Sequence, residues 1–160
     1  MRAMIVASLL ALSFAAPVAA DDGGKLVGAW RLLKFDYEFQ DGSPTRAVFG
    51  AKPAGIIIFT PQGRMAAVLE AEGRKAPQND IDAAALLRTL IAYSGTYKLE
   101  QDKWTTTVDV AWTPAWHGTQ QVRYYKLDGE RLFITSMWQP NQNLPGKPVT
   151  RGVLEWERVK

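Results

Sequence analysis

Three tight turns in succession constrain this chain more than any other feature. Pro61-Gln62-Gly63 separates the apolar run "AGIIIFT" from "RMAAVLEAE". Gln101-Asp102 separates "GTYKLE" from "KWTTTVDVAWT", and Asp128-Gly129-Glu130 separates "TQQVRYYKL" from "RLFITSMW". Each is a short turn-forming insert between strand-like runs, which predicts a hairpin. Two further strands flank them. "LVGAWRLLKFDYEFQ" (Leu26 to Gln40) ends in the turn chemistry of Asp41-Gly42-Ser43-Pro44, and "VTRGVLEWERV" follows the loop "QPNQNLPGKP". The result is eight predicted strands in hairpin order. Such a meander reads as all-β, a single eight-stranded antiparallel up-and-down barrel.

One segment breaks the meander. "NDIDAAALLRTLIAY" carries Asn79 or Asp80 as an N-cap and Asp82 in the first turn. Ile81, Ala84, Ala85, Leu87 or Arg88, and Ile91 follow at helical spacing. A helix inserted after the third strand is predicted. It serves either as a lid that brings Leu86, Leu90 and Ile91 to a cavity mouth, or as a helix fixed on the outer wall or closed end.

The first twenty residues stand apart from the fold. Arg2 precedes an apolar run from Ala3 to Ala16, and Val18-Ala19-Ala20 leads into Asp21-Asp22. This is the pattern of a secretory signal cleaved after Ala20. The apolar run is shorter than the roughly 20 residues of a membrane span. The expected mature domain is therefore 21–160, exported to the periplasm or beyond. All 16 acidic residues and all but one (Arg2) of the 19 basic residues lie after Ala20. The longest basic run is Arg74-Lys75, so the electrostatic footprint of a nucleic-acid binder is missing. There are no cysteines, which removes thiol catalysis, cysteine-bound zinc, thioether haem and an N-terminal lipid anchor. With a single histidine and no carboxylates at ligand spacing, neither a metal nor a cofactor is expected.

The strands alternate with unusual content. Trp104, Thr106, Val108, Val110 and Trp112 share one expected face of their strand. In the next, Thr119, Gln121, Arg123, Tyr125 and Leu127 oppose Gln120, Val122, Tyr124 and Lys126. A filled sandwich seldom places Gln, Arg and Tyr where it needs core, whereas a barrel with a lined cavity uses them as polar fixtures. The opposing reading makes them solvent-facing residues of a curved sheet.

The stretches "LVGAWRLLKF", "GIIIFTPQGRMAAVL", "IAYSGTY", "PAWHGTQQVRYYKLDGERL" and "LEWERV" together resemble the lipocalin-like domain proteins of bacteria and fungi. The resemblance spans most of Leu26 to Val159 and includes the Gly28-x-Trp30 pair shared with archetypal lipocalins. It implies a barrel with a central cavity, and it implies no single function. Some fungal relatives act on small hydrophobic substrates in biosynthetic pathways. Here the helix is inserted mid-barrel rather than after the last strand, so ligand classes do not transfer directly.

Four sets of residues carry the functional reading. Trp30 is expected to plug one barrel end beneath a stacked arginine, Arg158 first and Arg123 second. Tyr93, Tyr97, Thr119, Gln121, Arg123 and Tyr125 make a polar-aromatic set, in which Thr119, Gln121, Arg123 and Tyr125 form a column if they face inward. A buried Arg123 there calls for an anionic ligand head, such as that of a hydrophobic acid or phenolate, or for an internal carboxylate. Phe35, Tyr37, Ile58, Trp112 and Trp138 are further wall candidates, and Trp116 and Met137 sit near strand ends as mouth or core residues. His117, at a turn after Pro114, is either a solvated polar residue or a catalytic base.

The leading expectation is an exported binder of a small hydrophobic or amphipathic molecule. A cofactor-free isomerase, cyclase or hydrolase using Asp109, Tyr125 or His117 is the second. A filled barrel that binds a partner through its loops is the third. Acid or base groups facing a void separate the second from the first, and absence of a void selects the third.

Overall fold

The structure is a computed structural model and describes residues 23–160. The expected signal segment therefore lies outside the described residues. A short helix α1 (Gly23–Leu26) leads into β1 (Gly28–Phe39), the two-residue β2 (Arg46–Ala47), β3 (Ala54–Phe59) and β4 (Arg64–Glu70). Helix α2 (Asp80–Leu87) is followed by β5 (Leu90–Glu100), β6 (Lys103–Ala111), β7 (Gln120–Asp128), β8 (Arg131–Ser136), the two-residue β9 (Gln139–Pro140) and β10 (Val149–Arg158). A 3-10 turn, Pro114–Trp116, sits between β6 and β7. The long strands pair antiparallel in chain order, and β1 pairs with β10 to close the ring. The fold is the closed eight-stranded antiparallel barrel expected from the hairpin pattern.

Up-and-down order fixes which connections share an end. α1 and the three tight turns lie at one end; the connections after β1, β4, β6 and β8 all lie at the other. The α1 end is sealed. Trp30 is fully buried and its indole N–H donates to the Leu26 carbonyl at 2.9 Å. The Arg158 guanidinium lies 4.1 Å from the Trp30 ring centroid and donates to the carbonyls of Val27 (3.0 Å) and Lys25. Arg158 is thus the partner that Trp30 was expected to have. Gly28 makes room for it: a Cβ there would meet Arg158 Nη1 at 2.7 Å, and its φ of +131° is one that side chains avoid. Above this plug Trp104, Trp156, Phe59, Ile57 and Leu132 fill the interior, each at most 2% exposed.

Two bulges set which side chains face inward. In β1 the register shifts between Leu32 and Lys34. Trp30 and Leu32 point in before the shift, and Phe35 and Tyr37 line the interior after it. In β6, Gly95 pairs with Val108 but Ser94 pairs with Val110, leaving Asp109 as the extra residue. That corrects the expected face of β6. Trp104, Thr106 and Val108 are buried, whereas Val110 is turned out to 63% exposure.

The inserted helix is shorter than expected. Asn79 caps it, its side chain accepting from the Asp82 N–H at 2.9 Å. It stops at Leu87, where the Arg88 N–H bonds Ala85 and Leu86 carbonyls and the Thr89 hydroxyl donates to Leu86 O at 2.7 Å. Leu90, Ile91 and Tyr93 belong to β5, where they pair with Glu70, Leu69 and Ala67. A lid carrying Leu90 and Ile91 is therefore ruled out. No residue of α2 is buried.

Candidate functional site: the barrel cavity

Inside the barrel lies a cavity of about 990 Å³. Side chains from all four connections at the end opposite α1 line it, so it opens there. Its floor is apolar: Ile57, Ala67, Leu69, Trp104, Ile134 and Trp156 are all nearly inaccessible to solvent. Phe35 and Phe49 meet edge-to-face at 5.3 Å on one side. On the other, Tyr93 and Trp112 flank Trp116 at centroid distances of 5.3 and 4.7 Å. The third expectation, a filled barrel, does not describe this interior.

Arg123 of β7 reaches the cavity through a chain of side-chain bonds. Its Nη1 donates to the Val122 carbonyl at 2.8 Å and its Nη2 to Gln121 Oε1 at 3.3 Å. Gln121 in turn donates to the Thr119 hydroxyl at 3.0 Å, and that hydroxyl donates to Trp116 O at 2.8 Å. The guanidinium carbon stands 5.9 Å from the Trp116 ring centroid. Gln121 and Thr119 therefore orient Arg123 and tie it to the aromatic side of the cavity. Among the described residues no carboxylate forms an ion pair with Arg123.

Of the wall residues expected from sequence, Phe35, Tyr37, Tyr93, Trp112 and Arg123 line the cavity. Trp112 arrives there from beyond the end of β6, not along the strand face assumed for it. Gln121 stands behind Arg123 as its support. Tyr125 packs its ring against Trp104 at 5.6 Å and reaches the Gln101 carbonyl with its hydroxyl, below the lining. Ile58 faces outward at 39% exposure beside Ile56 and Val68, because the β3 register turns Ile57 inward instead. Trp138 lies under the Arg151 guanidinium at 4.6 Å, on the outside, and Met137 is exposed. Arg46, Phe49, Arg88 and the amides Gln139, Gln142 and Asn143 also line the cavity. They lie on loops or two-residue strands, where no periodicity reveals direction.

The expected acid–base groups stand apart from the cavity. Asp109 is the bulged residue of β6 and is turned outward, where it accepts from Arg64 at 2.5 Å and from the Ser94 hydroxyl at 3.0 Å. The Arg64 bond holds its carboxyl below the usual carboxylate range, which suits a fixed anion and not a base working near neutrality. His117 is exposed on the turn, with Nε2 3.4 Å from the Ala111 carbonyl. Among the described residues, no Asp, Glu or His lines the cavity.

The fold is a closed barrel with a cavity open at one end, and the family follows from sequence. Residues 27–159 match the model of the family described as "Lipocalin-like domain". The chain belongs to that family. A search of the curated proteins found no match. Among solved structures, a lipocalin-like protein from Bacteroides uniformis ATCC 8492 is similar at 14% identity, covering 85% of this chain and 100% of its own, with a TM-score of 0.45. An uncharacterized protein from Bacteroides eggerthii DSM 20697 is similar at 14% identity, covering 84% and 99%, with a TM-score of 0.44.

Proposed function

We propose that this protein is an exported, non-catalytic binder that holds one small hydrophobic or amphipathic molecule in its barrel. The observation that carries the reading is the cavity of about 990 Å³, walled by aromatic and aliphatic side chains with a few arginines and amides and, among the described residues, free of Asp, Glu and His. Apolar walls with a few placed polar groups are the ordinary composition of a ligand pocket. The catalytic alternative lacks support at the same wall, because Asp109 and His117 lie outside it. Export rests on the first twenty residues alone.

The test uses a neutral apolar probe, N-phenylnaphthylamine, titrated into the purified protein. Trp112 and Trp116 line the cavity, so binding should change tryptophan emission, saturate at one probe per chain and reverse on adding decanol. A signal that never saturates would count against the cavity as a binding site. Export is checked separately: sequencing the secreted form should begin at Asp21, and an intact Met1 terminus on exported protein would contradict cleavage.

A further inference from the structure

We infer that the ligand is an anionic amphiphile whose oxygen-bearing head is met by Arg46, Arg88 and Arg123. This rests on the ligand-binding reading above and names its chemical class. Residues 23–160 contain nine arginines. Six of them, Arg31, Arg64, Arg74, Arg131, Arg151 and Arg158, form ion pairs with carboxylates. The remaining three are Arg46, Arg88 and Arg123, and all three line the cavity. Among the described residues, the arginines paired with carboxylates stand outside the lining and the three without such a pair stand in it.

Among the described residues, the lining contains no Asp or Glu to offset that charge and no lysine to add to it. Arg46 sits on β2 and Arg88 directly after α2, on two different connections at the open end, while Arg123 projects from β7. A guanidinium carries five N–H donors and accepts nothing; Arg123 spends two groups on Val122 and Gln121. Its remaining donors are available to a ligand.

The lining therefore offers guanidinium donors and positive charge above an apolar floor, and among the described residues it lacks charged acceptors. A neutral hydrocarbon would leave these groups unmatched, and a cationic amphiphile would meet like charge. A carboxylate or phosphate matches the planar fork of arginine with two parallel hydrogen bonds, and three cationic groups around a concave, apolar site raise the local concentration of anions.

Calorimetric titration of the full domain with four ligands of one chain length tests this: decanoate, decyl phosphate, decanol and decyltrimethylammonium. At low salt the two anions should bind at least about tenfold tighter than decanol, the scale of a charge-assisted hydrogen bond, and the cation should bind weakest. The two anions separate a carboxylate head from a phosphate head, and either preference supports the class. Added salt should narrow the gap. Arg123→Met, and the double variant Arg46→Met/Arg88→Met on the exposed loops, should each weaken anion binding several-fold with decanol unchanged. Arg131→Met, on the outer wall, should leave all four affinities as they were. Should the Arg123 variant fail to fold, the loop double variant still decides. Equal affinities for decanol and decanoate, or anion binding that survives both substitutions, would overturn the charge inference while leaving the ligand-binding reading intact. No binding by any of the four, decanol included, would overturn both.

Discussion

Trp30 shows how much one residue can carry in a barrel. It is fully buried, bonded to Leu26 and covered by Arg158, so α1, β1 and β10 meet on a single indole. Truncation to Ala would remove one of the largest interior side chains and leave Arg158 stacked over a hole. We expect Trp30→Ala to lower unfolding free energy by about 3–5 kcal/mol in chemical denaturation; a loss below about 1 kcal/mol would show that the plug is dispensable. This contact was legible in the sequence, because first and last strands must pair when a barrel closes and Arg158 stands near the end of the last one. Arg123 was legible too, through its alternation with Val122 and Tyr124 along the strand. Arg46 and Arg88 were not. Each lies where the chain changes direction, and the side of the sheet it serves is decided by loop geometry.

At the scale of elements, hairpins read well and bulges did not. Turn residues announce themselves locally, so Pro61-Gln62-Gly63 and Asp128-Gly129 placed four strands correctly. The β6 bulge leaves no such mark: "TTTVDVAW" alternates smoothly, yet Asp109 is an extra residue and Val110 is turned out. Gly95 is the structural reason the bulge fits. A Cβ there would overlap the Thr107 carbonyl oxygen and stand 2.9 Å from Thr106 Cγ2. Gly95→Ala should therefore cost about 1–3 kcal/mol or more, as overpacking does, with the Tm falling accordingly. A variant as stable as the parent would mean that the close approach of β5 and β6 is relaxed in solution. The end of α2 was misread for a related reason. "LLRTLIAY" suits a helix by composition, but pairing with β4 captures everything from Leu90 onward, and tertiary pairing overrides weak helical preference.

The whole molecule is a barrel sealed at one end and hollow toward the other. Closure was readable from eight strands in hairpin order, and the sealed end from Trp30 and Arg158. The presence of a void was readable only as an expectation, because inward polar residues are equally compatible with a filled interior. The void matters energetically. A cavity of about 990 Å³ over an apolar floor forgoes packing contacts that a ligand would restore, and a ligand at a hundredfold excess over its Kd adds about 2.7 kcal/mol to stability. Native mass spectrometry of the protein, purified from cells without denaturants, measures occupancy directly. The expected result is a chain carrying one small amphiphilic adduct, lost on unfolding and replaceable by decanoate at one per chain. A bare chain that stays bare in the presence of excess decanoate and decanol would contradict ligand binding by this barrel.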